Sequence, residues 1–193
     1  MRAPDPIALF RDLLEKACAQ EEGDPTAVAL ATADLGGAPS VRMVLLKGVD
    51  AGGFVFFTTT RSRKAGDLRA NPRAALCFHW PGVEMQVRVE GTVERVDAEA
   101  ADAYFATRPR ESQLAAWASD QSRPLGSREE LIARYEDATR RFEGVKVPRP
   151  PYWCGYRLVP VMIEFWRAAF GRLHHREEFR RVGDNWRLQL LYP

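Results

Sequence analysis

Apolar and polar positions repeat with two different periods along this chain, and the change of period marks out its elements. Phe10, Leu13, Leu14 and Ala17 recur at helical spacing, which predicts a first helix with one buried face. Asp5 is placed to cap it, Pro6 fits the first helical position, and Glu21-Glu22-Gly23-Asp24-Pro25 ends it. The period then drops to two. Thr26–Ala33 and Ser40–Lys47 are β-branched-rich runs on either side of a hairpin loop at Asp34–Pro39. Phe54–Thr58 follows Gly52-Gly53 as a third strand, and Arg73–Trp80 is a fourth. In the fifth, Met85–Val96, Met85, Val87 and Val89 alternate with Gln86, Arg88 and Glu90, as in a half-buried strand. A short helix, Ser62–Ala70, closed by Asn71-Pro72, separates the third and fourth strands.

Helical spacing returns after Asp97, which caps a helix running to about Thr107; Arg108-Pro109 breaks it, because a residue before proline avoids the helical region. Ser127-Arg128-Glu129-Glu130 is a capping box opening a longer helix, with Leu131, Ile132, Tyr135, Ala138 and Phe142 on one face. Beyond a stiff Pro148–Pro151 connector, strands are expected at Trp153–Leu158, Val161–Trp166, Glu178–Val182 and Trp186–Leu190. Antiparallel strands interrupted by a few helices predict an α+β fold: one domain over 1–193, a small antiparallel barrel with peripheral helices, its N-terminal helix within 1–23.

Composition narrows the class. With 28 Lys+Arg against 26 Asp+Glu, the net charge of +2 is too balanced for a general nucleic-acid binder. No apolar run is long enough to span a bilayer, and the first 25 residues lack the apolar core of a secretory signal. Cys18, Cys77 and Cys154 are scattered and odd in number, so no disulfide framework or metal site is expected; they read as reduced, mostly buried thiols of a cytoplasmic protein. Neither G-x-G-x-x-G nor a Walker loop is present. Lysine occurs only at 16, 47, 64 and 146, and where arginine is the habit a lysine hints at a need for a compact charge.

Five clusters carry candidate chemistry. Arg42 and Lys47 bracket Met43-Val44-Leu45-Leu46, and their odd separation puts them on opposite strand faces. Phe57-Thr58-Thr59-Thr60-Arg61-Ser62-Arg63-Lys64 runs from a strand end into a helix start; it is either a phosphate site or a solvated basic turn. Tyr104, Arg108 and Ser112 offer a phenol, a guanidinium and a hydroxyl suited to a phosphate dianion, although Arg108 has Asp102 and Glu111 as alternative partners. Ser119-Asp120-Gln121-Ser122 is polar and preceded by Trp117, and reads equally as a helix-ending turn and nothing else. Last, Trp166 precedes Arg172-Leu173-His174-His175-Arg176, where parity aims Arg172, His174 and Arg176 the same way in an extended chain, or marks a basic edge strand.

In order along the chain these stretches resemble the pyridoxamine (pyridoxine) 5′-phosphate oxidase family. The matching segments are Arg42–Lys47, Phe57–Lys64 with Asn71-Pro72, Gln86-Val87, Tyr104-Phe105 through Arg108-Pro109-Arg110 to Ser112-Gln113, Gln121-Ser122, and Glu164-Phe165-Trp166 through Arg172-Leu173-His174 to Arg176. The resemblance implies a flavin mononucleotide (FMN)-binding split barrel that forms a homodimer with FMN at its interface, residues 160–193 supplying dimerisation and active-site strands. It implies oxidation of pyridoxamine or pyridoxine 5′-phosphate to pyridoxal 5′-phosphate, with dioxygen reduced to hydrogen peroxide and no metal. Arg42, Met43, Val44, Leu45, Leu46, Lys47, Phe57, Thr58, Arg63, Lys64, Gln86, Gln121, Ser122, Trp166 and Arg176 match the flavin contacts. Lys47, Tyr104, Arg108 and Ser112 match the substrate-phosphate contacts, and Arg172, Leu173 and His174 the residues that hold the reacting ring, Arg172 and His174 in the catalytic role. Phenazine-biosynthesis oxidases resemble the same fold but tend to lose the phosphate residues kept here. A non-catalytic flavin- or haem-holding barrel, with His174 or His175 as ligand, is a further alternative. Three departures stand out: His175 where the family commonly has Asp, Met85 where an arginine is common, and a short arm before the first helix.

Overall fold

The computed structural model describes residues 4–193, so the first residues of the short N-terminal arm lie outside the description. Its strands are β1 (Ala27–Ala33), β2 (Pro39–Asp50), β3 (Gly53–Thr59), β4 (Arg73–Trp80), β5 (Met85–Arg95), β6 (Trp153–Arg167), β7 (His175–Val182) and β8 (Asn185–Leu190). All pair antiparallel in the order β3-β2-β1-β4-β5-β6-β7-β8, and β3 also pairs with β6. That extra pairing closes the first six strands into a barrel and leaves β7 and β8 as a flange on β6. Closure removes the exposed edges of the six-stranded part.

Helix α1 (Pro6–Gln20) plugs the barrel, capped as its sequence predicts by Asp5, whose carboxylate accepts from the Ile7 amide at 3.0 Å. Phe10 is fully buried and meets Phe54 edge-on at 4.8 Å and Phe78 at 4.9 Å. Burying such a side chain contributes roughly 1.5–3 kcal/mol. Leu13 and Ala17 complete the buried stripe and Leu14 packs at its margin. The other helices lie outside the barrel: α2 (Arg63–Ala70), α3 (Ala98–Thr107), α4 (Arg110–Ala118) and α5 (Arg128–Arg141). A second, smaller core of Phe105, Leu114, Ala138, Phe142, Val147 and Trp153 fastens α3, α4 and α5 to the start of β6.

The structure departs from the sequence reading at several points. Trp153–Leu158 and Val161–Trp166 are one strand, β6, continuous through Pro160. The missing N–H of Pro160 is tolerated because the β5–β6 register shifts there, between Glu90 and Gly91. Gly91 makes the close approach possible: a Cβ at that position would lie 2.0 Å from the Val159 carbonyl oxygen. Helix α4 was not foreseen, since Pro109 reads as a breaker; it starts a new helix instead. At α5 the Ser127 hydroxyl accepts from the Glu130 amide, but the Glu130 carboxylate reaches the Gly126 amide and not that of Ser127. Ile132 and Cys18 are exposed, against expectation; Cys77 is half-buried and Cys154 buried, all three as free thiols. Among the described residues no helix is long and apolar enough to cross a membrane, and no cluster of His, Cys, Asp and Glu suits a metal.

The cap on α3 can be tested. Asp97 accepts from the Ala100 amide at 2.6 Å. Asp97→Ala should cost about 1 kcal/mol. In a chain this size that lowers the thermal midpoint by roughly 2–4 °C. A midpoint unchanged in scanning calorimetry would show that the cap is redundant.

Candidate active site

One cleft of about 450 Å³ gathers most of the predicted chemistry. Its walls are Met43, Val44, Leu45 and Lys47 from β2, Phe57 and Thr58 from β3, Lys64 from α2, Tyr104 and Thr107 from α3, Arg108 and Pro109 from the α3–α4 turn, Ser112 from α4, Gln121 and Trp153. On β2 the parity prediction holds: Arg42 lies on the more buried side and Lys47 on the exposed one.

At one end is Lys64. It is 7% exposed, yet among the described residues no carboxylate lies within ion-pair distance. Its Nζ donates to Gln121 Oε1 at 2.8 Å and to Thr58 Oγ1 at 3.2 Å, and Thr58 itself donates to Gln121 at 3.0 Å. Burial, with a smaller push from the Arg42 cation, lowers the Lys64 pKa to about 8. A buried cation held only by neutral acceptors is poised for an anion. Asp120 steadies the Gln121 loop by accepting from Arg61 at 3.0 Å and from Arg134 at 2.9 Å.

At the other end is Arg108. Pro109 forces it into an extended conformation at the end of α3, and α4 starts immediately afterwards. The kink, not a shared helical face, brings Tyr104, Arg108 and Ser112 into one cleft. Gln113 Nε2 ties the two helices by donating to the Phe105 carbonyl at 2.9 Å. The alternative partners are absent: Asp102 pairs with Arg149 at 2.6 Å, and among the described residues Arg108 makes no ion pair. Its Nη1 is buried without a hydrogen-bond partner, and burial pushes its pKa below the usual arginine value. The guanidinium sits 5.1 Å from the Trp153 ring centroid and 5.4 Å from that of Phe105. Phe57 packs near-parallel to Tyr104 at 4.2 Å and to Trp153 at 5.0 Å, and those two rings lie 6.1 Å apart, so the three form one cluster. Phe57 has room because its cross-strand partner is Gly155, where a Cβ would strike the ring at 2.6 Å.

The remaining candidates lie elsewhere. Leu46, 4% exposed, belongs to the barrel core, so its side chain does not line the cleft. Arg42 is fastened beneath α2, donating to the Leu30 carbonyl and to Thr32 and Ser40 hydroxyls, 3.7 Å from Asp67. Arg63, exposed at the first position of α2, is near enough to disfavour the Arg42 cation. Ser122 is exposed with φ of 71°.

A second cluster sits on the flange. Gln86, Trp166 and Arg176 are in register across β5, β6 and β7. His174 packs on Trp166 at 4.5 Å, its Nδ1 accepting from the Ala169 amide at 3.2 Å, which leaves Nε2 as the ring's donor. Arg176 donates to the buried Glu164 at 2.7 Å. The parity argument fails before β7, because Phe170–Arg172 form a tight turn in which Arg172 has φ of 62°. Arg172 and Leu173 are exposed. Twelve residues of β6 lie between Trp166 and Trp153 at the cleft, roughly 40 Å of extended chain, so one chain does not join the clusters. Trp153 was the lining residue that sequence reasoning missed, since a tryptophan opening a strand reads as core.

With this geometry in hand, comparison with known proteins is specific. Residues 14–141 match the family model described as pyridoxamine 5′-phosphate oxidase, and residues 153–193 that of the pyridoxine 5′-phosphate oxidase C-terminal dimerisation region. A pyridoxine/pyridoxamine 5′-phosphate oxidase of Anaeromyxobacter dehalogenans is 60% identical over 99% of this chain and 96% of its own length. One of Myxococcus xanthus is 52% identical over 100% of this chain and 94% of its own. The crystal structure of PhzG from Burkholderia lata, in complex with tetrahydrophenazine-1-carboxylic acid, superposes with a TM-score of 0.94 at 32% identity, covering 99% of this chain and 94% of that one. An FMN-binding protein of Nostoc punctiforme shares the fold, at a TM-score of 0.78 and 18% identity over the full length of both chains. The split barrel, the cleft and these matches together place the chain in the pyridoxamine 5′-phosphate oxidase family.

Proposed function

We propose that this chain oxidises pyridoxine or pyridoxamine 5′-phosphate to pyridoxal 5′-phosphate, as a homodimer carrying FMN. The observation that carries this reading is the unpartnered, buried Nη1 of Arg108 beside Lys47, Tyr104 and Ser112, a donor set whose charge suits a phosphate dianion. The residues at the Lys64 end fit a second phosphomonoester. A buried uncompensated lysine, the Thr58 hydroxyl and the start of α2 with Arg63 form a donor set of the right charge for the FMN tail.

When bound, FMN supplies the two-electron acceptor, and dioxygen takes those electrons on as hydrogen peroxide. The chain's own work is positioning. Arg108, Tyr104, Ser112 and Lys47 anchor the vitamer by its phosphate, and Phe57 offers a flat wall. Arg172 and His174 are assigned to hold the pyridine ring, Nε2 of His174 donating. Holding a reactant in attack geometry lowers the barrier by several kcal/mol. The ring-holding pair comes from the partner subunit in this reading, because a single chain keeps flange and cleft apart. An unpartnered apolar row on β2, with Val41 68%, Met43 62% and Leu45 41% exposed, supports that assembly.

The PhzG match favours a phenazine carboxylate as the rival substrate. Arg108 alone would accept a carboxylate, but Lys47, Tyr104 and Ser112 beside it offer more donors and charge than a monoanion needs, and a phosphate dianion uses them. Purified protein should show a flavin spectrum and release peroxide from pyridoxine or pyridoxamine 5′-phosphate. Flavin-loaded protein that turns over neither vitamer would overturn the proposal.

A further inference from the structure

Arg108 raises a question that its ligand does not answer. A half-buried guanidinium with one nitrogen, Nη1, wholly buried is commonly aimed by a carboxylate, yet none pairs with it among the described residues. Its contacts are aromatic: the Trp153 face at 5.1 Å and the Phe105 ring at 5.4 Å. Trp153 is itself held firmly. It is 7% exposed, stacks on Phe57 at 5.0 Å with the planes 5° apart, and takes Phe105 edge-on at 5.1 Å. Its backbone carbonyl accepts from Arg149 Nη1 at 2.6 Å. The ring is therefore a fixed platform at the start of β6.

We propose that Trp153 is a positioning residue for the substrate phosphate: its π face holds the Arg108 guanidinium aimed into the cleft without neutralising it. The physical contrast is with an acid. A carboxylate would fix the guanidinium equally well, but it would occupy the fork that must receive the phosphate and repel the incoming dianion. An aromatic face attracts the cation through its quadrupole and leaves the edge N–H groups, Nη1 among them, free to donate. The same ring backs Phe57, so one side chain aligns the anion anchor with the flat wall beside it. This deepens the proposed function and rests on its assignment of Arg108 to the vitamer phosphate.

The test compares Trp153→Leu, which removes the π face, with Trp153→Phe, which keeps a ring, in flavin-loaded protein. KM is measured for pyridoxine 5′-phosphate. Affinity is measured by calorimetry for pyridoxal 5′-phosphate and for unphosphorylated pyridoxal. Trp153→Leu should raise KM and weaken pyridoxal 5′-phosphate binding by about tenfold, the worth of a half-buried cation–π contact, with kcat within about twofold. Pyridoxal affinity should fall by much less, no more than about threefold from the loss of support behind Phe57, and Trp153→Phe should recover most of the phosphate-dependent loss. Should Trp153→Leu not fold, Phe105→Leu removes the second ring and should cut the same selectivity by a smaller factor. Three results would overturn the assignment: undiminished preference for the phosphorylated ligand in Trp153→Leu; equal losses for both ligands in Leu and Phe variants, which would mean packing alone; or, where Trp153→Leu does not fold, unchanged selectivity in Phe105→Leu. Wild-type protein that binds pyridoxal as well as its phosphate would sink the cleft assignment itself, and this one with it.

Discussion

Replacing Arg108 with methionine should raise KM for pyridoxine 5′-phosphate by about 100-fold, roughly 3 kcal/mol, because a charge-assisted, half-buried anchor is lost. Methionine keeps the volume against Trp153 and Phe105, so the loss measures charge and not packing. The unphosphorylated vitamer, which never used the anchor, should bind as before. Stability should move the other way. Nη1 is buried without a partner, and relieving an unsatisfied polar group of this kind is worth about 1–3 kcal/mol. The Met variant should therefore melt at or above the wild-type temperature while failing to hold its substrate. Arg108→Lys should recover only part of the affinity, since an ammonium lacks the planar fork. If the Met variant handles the phosphorylated vitamer like the wild type, the anion pocket has been put in the wrong place.

That opposition between stability and binding explains which parts of the site were legible in the sequence. Positions obeying period and capping rules were readable because one physical effect governs each. Phe10 faces inward at helical spacing, Asp5 and Asp97 cap, and Arg42 and Lys47 take opposite faces by parity. Where two effects competed, local reading failed. Pro109 was read as a stop, but proline suits a helix start as well as it ends one, so α4 went unseen and with it the kink that gathers Tyr104, Arg108 and Ser112. Two strands, Trp153–Leu158 and Val161–Trp166, are expected on either side of Pro160, yet the β5–β6 irregularity absorbs the proline and the strand runs through. Gly171 and Arg172 turn the chain in the left-handed region, which parity cannot anticipate. The residues of the family resemblance were recognised as a set, but only the fold shows that they form two clusters. Trp153 carried no signal at all: its value comes from what it leaves unpaired, a property of the assembled cleft.

Lys64 offers the sharpest separation of the two phosphate sites. Lys64→Met should weaken FMN binding by about 100-fold, since removing one partner of a buried charge pair costs about 3 kcal/mol or more. Riboflavin, which has no phosphate, should bind with unchanged affinity, and so should pyridoxal 5′-phosphate. The cofactor-free variant should be more stable than the wild type at neutral pH, for a reason whose sign is fixed. The Lys64 pKa falls from 10.5 to about 8 on folding, so the unfolded chain holds that proton more tightly. Burying the charged form thus costs stability, fully below about pH 8 and not at all above 10.5; the gap corresponds to about 3 kcal/mol. Methionine removes this cost at the smaller expense of the Gln121 and Thr58 contacts, and Thr58 still donates to Gln121. Wild-type stability should accordingly climb towards that of the variant as pH rises through this window, read as converging melting temperatures. FMN affinity should behave in the opposite sense, declining in the wild type as pH passes 8, where Lys64 sheds its proton, and staying low and flat in the variant. Fluorescence titration of the two proteins across that pH range decides the matter: parallel curves would mean that the buried lysine does not meet the cofactor's phosphate, and the two ends of the cleft would have to be reassigned.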